Sequence, residues 1–287
     1  MSLLRSLLFV PANQSKMLSK ISTLTADAFI PDLEDSVPDA EKENARKFLA
    51  EHLDGLLEQE AEFYPRVNSL PTGLTAAEID SLLRPGLKGI TIGKVSCEED
   101  VAEIDKLITA KEKSLGLDPL AFRLIVWIET AKGIVNAYEI CKASKRLVGV
   151  AFGAEDFAAD MAIERSDSET ELVFARSTIA VAARAASILA LDTPHFTLKD
   201  PEGLKANCLN SKRMGFKGRF AIHPEQIPTI EEAYSPSERE IENAKRVVAA
   251  FEEAERQGKG ATSLDDKVID IPVVNRAKAL LSFAESN

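Results

Sequence analysis

Two apolar runs near the middle of the chain each end in an acid. Leu124-Ile125-Val126-Trp127-Ile128 leads into Glu129, and Val148-Gly149-Val150-Ala151-Phe152-Gly153-Ala154-Glu155 leads into Asp156. Short apolar runs of this kind read as buried parallel strands, and α/β barrels keep their chemistry at the C-terminal ends of such strands. Two carboxylates at matching strand ends make a site for a hard divalent cation, which takes oxygen ligands and keeps positions for substrate. Each acid precedes small residues expected to turn, Thr130-Ala131-Lys132-Gly133 and Phe157-Ala158-Ala159. The plain alternative for any single acid is a helix cap or a salt-bridge partner. Glu155 also competes with Asp156: if Phe152 and Ala154 face alternately, only one of the two points inward.

Other charged residues sit at strand ends. Arg66, in Tyr64-Pro65-Arg66-Val67-Asn68, is expensive to bury unless paired. At a barrel mouth it would orient a carboxylate or hold a developing oxyanion; otherwise it is an exposed strand end. Asp32-Leu33-Glu34-Asp35 supplies three acids, some expected to cap a helix from Asp39 and others to face the mouth. Lys94 either meets phosphate or pairs with these acids. His223, in Ala221-Ile222-His223-Pro224, reads as a packing residue. No GxGxxG, P-loop or nucleophile-elbow pattern occurs.

These residues need a scaffold. Strand-like runs fall at Ser6–Pro11, Ala28–Leu33, Phe63–Val67, Gly89–Val95, Arg123–Ile128, Val148–Gly153, Leu189–Asp192 and Phe220–His223. Helical patterns lie between them at Asp39–Leu53, Glu98–Lys113, Ile134–Ala143, Glu169–Ala186 and Pro201–Met214, with Ser96 and Gly215 as end signals. The fold class is α/β: a (β/α)8 TIM barrel with a C-terminal helical extension. The expected division is a catalytic barrel over residues 1–235 and an extension over 236–287. In the extension a charged helix, Pro236–Gln257, breaks at Gly258-Lys259-Gly260 and a second runs Asp270–Glu285. A Gly-rich hinge there points to a lid or an arm reaching a neighbouring subunit.

A formal charge of −11 argues against nucleic acid or an anionic membrane as the main partner. Cys97, Cys141 and Cys208 are isolated, without CxxC spacing, which fits a reducing compartment. No run approaches the roughly 18 apolar residues of a membrane span. The start, Met-Ser-Leu-Leu-Arg, enters a strand-like run almost at once, so no signal peptide is expected. A cytoplasmic location is expected.

The motifs Arg5-Ser6-Leu7-Leu8-Phe9-Val10-Pro11, Asp32-Leu33-Glu34-Asp35-Ser36-Val37, Arg66-Val67-Asn68, Ile128-Glu129-Thr130-Ala131-Lys132-Gly133, Gly153-Ala154-Glu155-Asp156 and Ala221-Ile222-His223-Pro224 occur in this order. Together they resemble the citrate lyase beta subunit-like branch of the HpcH/HpaI aldolase superfamily. The resemblance implies a Mg²⁺-dependent barrel enzyme, with Mn²⁺ as an alternative metal, that makes or breaks C–C bonds in acyl-CoA thioesters as a homotrimer or hexamer. It implies Glu129 and Asp156 as metal ligands and Phe9, Lys20, Arg66, Gly153 and Ala154 as substrate-binding residues. Val268-Ile269-Asp270-Ile271-Pro272 is similar to the tail of citramalyl-CoA and malyl-CoA lyases, where the matching aspartate acts in a neighbour's site as general acid/base. Read from the residues alone, Asp270 is a helix N-cap. Shorter citrate lyase beta-like proteins lack this tail, so it favours a stand-alone lyase over a subunit of a larger complex. The implied reaction cleaves (S)-citramalyl-CoA or malyl-CoA to acetyl-CoA and pyruvate or glyoxylate. The alternatives are a citryl-CoA lyase subunit, a malyl-CoA thioesterase or a malate synthase-like activity. Two positions depart from the family pattern: Gln14 replaces a basic residue, with Lys16 and Lys20 nearby, and Gly93-Lys94 replaces Pro-Lys.

Overall fold

The computed structural model describes residues 3–166 and 168–285. It forms two compact units, Met1–Glu231 and Glu232–Asn287. In the first, the strands are β1 Ser6–Pro11, β2 Ala28–Asp32, β3 Glu62–Phe63, β4 Arg66–Val67, β5 Gly89–Ile92, β6 Arg123–Ile128, β7 Leu147–Phe152, β8 Leu189–Asp192 and β9 Gly218–Ala221. Every pairing is parallel, and β1 pairs with both β2 and β9, so the sheet closes on itself. β3 and β4 both lie beside β2 and are two pieces of one stave. The expected single strand Phe63–Val67 is broken at Tyr64-Pro65 because proline has no N–H for the ladder. With that stave counted once, this is the expected eight-stranded (β/α)8 barrel.

Several element ends differ from the sequence reading, each for a local reason. The fourth stave stops at Ile92 rather than Val95, because Lys94 turns the chain through a left-handed conformation (φ 58°). The helix Glu98–Ser114 is capped by Cys97, not Ser96; the Asp100 carboxylate accepts from the Cys97 and Ser96 N–H groups. The pattern Ile134–Ala143 splits at Asn136 into Ala131–Val135 and Ala137–Lys142. Pro201–Met214 forms as read, with Asp200 accepting from Gly203 N–H and Gly215 closing the helix at φ 115°. That angle is one glycine adopts without strain.

The barrel interior is filled by Leu7, Ile30, Ile125, Ala151 and Leu191 around a stack of aromatic rings. Phe9, Trp127 and Phe220 lie 4.2–5.6 Å apart, centroid to centroid. Arg146, 1% exposed, is held by Glu112 at 2.6 Å and Asp105 at 3.0 Å. Removing either kind of partner would strand a buried charge, which makes this a rigid strut.

In the second unit Ser237 and Glu240 form a capping box at the start of the helix Glu238–Arg256. A hairpin follows, β10 Thr262–Leu264 and β11 Lys267–Ile269, and then the helix Ile271–Glu285. Asp265 and Asp266 make its two-residue turn, both at positive φ, as such hairpins require. The sequence reading placed only a glycine hinge here. Ala244, Val247 and Phe251 pack on Ile269, Val274 and Ala277. Among the described residues no helix is long and apolar enough to cross a membrane.

Candidate active site

A cavity of about 350 Å³ opens at the C-terminal ends of the staves. Phe9, Arg66, Glu129, Gly153, Ala154 and Asp156 all line it, so the barrel brings these candidates together from four different stave ends.

Glu129 follows β6 directly and is 3% exposed. Its Oε1 accepts the backbone N–H of Lys94 at 2.6 Å, aimed by that residue's left-handed turn. Burial, with Asp156 and Glu34 adding their fields, pushes its carboxyl up to about 8. Two glycines make room for it. A Cβ at Gly153 would lie 2.2 Å from Glu129 Oε2, and one at Gly93 would lie 2.9 Å from Oε1 and 3.0 Å from Glu34 Oε2.

Asp156 sits in the first turn of the helix Ala154–Asp160, so Phe157-Ala158-Ala159 is helix rather than the expected turn. Burial and the neighbouring Asp35 raise its carboxyl, against Lys94 and Arg66. Glu155 is exposed and its carboxylate pairs with Arg165, which leaves Asp156 as the acid among the site's charges. The Gly153 N–H donates to Ile128 O at 3.2 Å and the Ala154 N–H to the Thr193 hydroxyl at 3.3 Å. Both amides are therefore engaged within the barrel.

Arg66 is buried, not an exposed strand end. Its Nε and Nη2 donate to both Asp32 oxygens at 2.6 and 2.7 Å, and Nη1 to Asp35 at 2.8 Å. Glu34 lies 3.2 Å from Nη1, and the guanidinium stacks 4.6 Å above the Phe9 ring. Burial works to raise the Asp32 carboxyl, yet its bidentate Arg66 pair holds it below the usual range. Burial wins at Glu34, which is raised. Lys94 Nζ stands 3.4 Å from Glu34 and 3.6 Å from Asp35, so it pairs with these acids. None of the three acids caps the Asp39 turn; Asp32 instead accepts from the Glu34 and Ser36 N–H groups.

Five carboxylates (Asp32, Glu34, Asp35, Glu129 and Asp156) thus surround two cations, Arg66 and Lys94. Raised acids in excess of their cations, with open space before them, fit a hard divalent cation. Among the described residues no three His, Cys, Asp or Glu side chains converge as a cage. Mg²⁺ does not require such a cage: it binds through one or two carboxylates and fills its sphere with water and substrate.

Lys20 ends the exposed helix Ser15–Lys20 and does not line the cavity. Asp270 belongs to the C-terminal unit, where its carboxylate accepts from Val273 N–H at 3.2 Å. His223 is no core residue: half-exposed, it accepts the Glu225 N–H and caps the turn Pro224–Gln226. Missed altogether was Asp192, another strand-end acid carrying the same signal as Glu129. It is fully buried and neutralised by Arg176 and Arg219, so the signal alone does not separate a cation site from a structural pair. The apolar wall of Trp127, Phe196 and Ile222 was also not anticipated.

A closed parallel barrel with charged residues gathered at its C-terminal mouth defines a TIM-barrel enzyme. The chain belongs to the HpcH/HpaI aldolase/citrate lyase family, whose match spans residues 5–224, and its class is carbon–carbon lyase. It is 39% identical over 286 residues to the citrate lyase subunit beta of Haemophilus influenzae, covering 100% of this chain and 98% of that one. Over 302 residues it is 32% identical to the L-malyl-CoA/beta-methylmalyl-CoA lyase of Cereibacter sphaeroides, covering 98% and 94%. A solved structure, CitE from Mycobacterium tuberculosis in complex with magnesium, acetoacetate and coenzyme A, superposes with a TM-score of 0.80 at 32% identity, covering 98% of each chain. The Haemophilus subunit spans the whole chain, C-terminal unit included. This overturns the expectation that the tail sets stand-alone lyases apart from citrate lyase beta subunits.

Proposed function

We propose that this protein is a Mg²⁺-dependent lyase that reversibly cleaves a β-hydroxyacyl-CoA into acetyl-CoA and a 2-oxoacid. The carrying observation is the cavity that holds Glu129, Asp156 and Arg66 together. Glu129 and Asp156 would hold the cation, which when bound supplies Lewis-acid polarisation of the future keto group. Arg66 has five N–H donors, of which Asp32 takes two and Asp35 one. Nη1 also lies 3.2 Å from Glu34, and the donor capacity Arg66 keeps as part of the cavity wall would stabilise the enolate oxygen left on acetyl-CoA. Phe9 supports the guanidinium from below. Gly153 and Ala154 act as a close wall, since their amides are taken. Lys20, with Lys16, is the candidate for the CoA phosphates. Asp270, supplied from a neighbouring subunit of a homotrimer or hexamer, takes the hydroxyl proton as the C–C bond breaks and returns it in synthesis. The protein works in the cytoplasm on this reading.

The wall of Trp127, Phe196 and Ile222 suits a methyl group or hydrogen on the oxoacid, which supports citramalyl-CoA or malyl-CoA as substrate. The identity with a citrate lyase subunit beta supports a second reading, cleavage of a citryl thioester within a larger assembly. A panel of malyl-, citramalyl-, methylmalyl- and citryl-CoA, assayed with and without EDTA for the CoA product (propionyl-CoA from methylmalyl-CoA, acetyl-CoA from the others), decides between them. The first reading expects Mg²⁺-dependent release from the purified protein alone. Silence on all four until a carrier partner is added would favour the second, and EDTA-insensitive turnover would remove the metal from the reaction.

A further inference from the structure

A larger cavity, of about 730 Å³, opens at the other end of the barrel. Its walls are the stave beginnings: Arg123 opens β6, Leu147 opens β7 and Leu189 opens β8. In a chain of net charge −11, this cavity is lined by Lys88, Arg123, Lys142 and Lys145 and by no acid.

Cations at this face have an ordinary explanation, because barrel helices end here and their C-termini favour positive charge. That accounts for Lys142, which lies in the last turn of its helix and pairs with Glu139 at 2.7 Å. Lys88 is paired with Glu62 at 3.4 Å. It does not account for the other two. Arg123 is the first residue of a strand and Lys145 lies in the loop before β7. Both are exposed, and neither has an ion pair among the described residues. Ser187 adds a hydroxyl from an exposed turn held in the left-handed region (φ 60°), a costly conformation for a residue with a side chain. Beneath the charged rim, Leu4, Val148 and Leu189 form an apolar floor continuous with the barrel core.

A charged rim above an apolar floor selects an amphipathic anion. The volume falls within the ~300–1,000 Å³ of small-molecule sites, and arginine matches phosphate oxygens in a two-pronged geometry. We propose that this cavity binds a small phosphorylated molecule with a flat apolar body, of the nucleoside diphosphate kind. Its phosphates meet Arg123 and Lys145, and its ring lies on Val148 and Leu189. The site is separate from the acid-lined mouth and shares no lining residue with it.

The test is calorimetric titration of the full chain with ADP, adenosine and inorganic tripolyphosphate. The expected result is ADP binding, weakened by added salt, that Lys16→Glu with Lys20→Glu leaves intact, since neither lysine lines this cavity. Arg123→Glu with Lys145→Glu should lower ADP affinity by about tenfold or more, while thioester cleavage proceeds at the wild-type rate. If the double variant fails to fold, each single reversal, at an exposed position, carries the same expectation. Adenosine alone should bind weakly, and tripolyphosphate weaker than ADP. ADP binding lost in the Lys16→Glu, Lys20→Glu variant, unchanged affinity in the Arg123 and Lys145 reversals, or no ADP binding at millimolar concentration would overturn the proposal. Tripolyphosphate binding as tightly as ADP would overturn the assignment of the apolar floor.

Discussion

Replacing Arg66 by methionine tests the charge arrangement at its centre. The substitution leaves Asp32, 1% exposed, and Glu34, 4% exposed, without their main cation. Breaking one side of a buried pair costs about 3–5 kcal/mol; the exposed Asp35 contact adds less than about 1 kcal/mol. This cost depends on pH, and its sign follows from Asp32. In the wild type Arg66 holds Asp32 below the usual range, so the pair stabilises the fold above about pH 4. That stability is lost as pH falls through the depressed value. In the variant burial acts unopposed by Arg66, and the folded state keeps a proton that the unfolded chain releases above about pH 4. The variant therefore weakens as pH rises, and the gap to wild type widens from pH 5 to pH 8. Urea unfolding at both values, followed by far-UV dichroism and by the fluorescence of Trp127, the single tryptophan, measures the gap. Asp32→Asn in the Arg66→Met background should recover much of the loss, because a neutral amide needs no cation. A gap below about 1 kcal/mol at pH 8, or one that does not change with pH, would refute the reasoning, since a buried pair costs several times more to break.

Three further outcomes are expected. Metal-free protein should lose stability between about pH 4.5 and 8, because folding raises the Glu129 carboxyl from 4.5 to about 8 and the folded state binds that proton more tightly. Mg²⁺ binding below pH 8 should then release protons, which calorimetry in buffers of different ionisation heat detects; Mg²⁺ binding without proton release would count against the raised acid. Gly153→Ala, whose Cβ would fall 2.2 Å from Glu129 Oε2, should cost about 1–3 kcal/mol of overpacking. Gly260→Ala, with nothing within 4 Å, is the control, and equal melting shifts would dismiss the close-approach argument. Asp270→Ala should lose turnover and about 1 kcal/mol of helix capping, whereas Asp270→Asn restores the cap without the rate; an Asn variant turning over like wild type would exclude the acid/base role.

The barrel was legible because buried parallel strands read as short apolar runs, and eight of them close. What escaped was local. Pro65 breaks its stave through a missing donor; the proline stands in the sequence of Phe63–Val67, but the apolar residues flanking it read as one strand. The hairpin at Asp265-Asp266 has strands of only three residues, too short for alternation to show. Glu129 and Arg66 stand at stave ends that the closed barrel gathers, whereas Asp156 reaches the mouth from the first turn of the helix after β7, which its small-residue run did not reveal. The acids of Asp32-Leu33-Glu34-Asp35 were seen, while their commitment to Arg66 was not, because a partner 34 residues away in sequence leaves no local trace. Asp192 shows the converse limit. Its pattern equals that of Glu129, and only the two arginines brought to it by folding make it structural.

Lys94 carries two instructions in separable parts of one residue. Its backbone N–H fixes Glu129, and every amino acid except proline can supply that group. Its ammonium sets part of the charge facing Glu34 and Asp35, and that part can be exchanged without moving the acid. Drift at this position can therefore retune the electrostatics of the mouth while its geometry stays put. Glycine would even relieve the left-handed turn. The position of the acid is written in the main chain, and its surroundings remain open to revision.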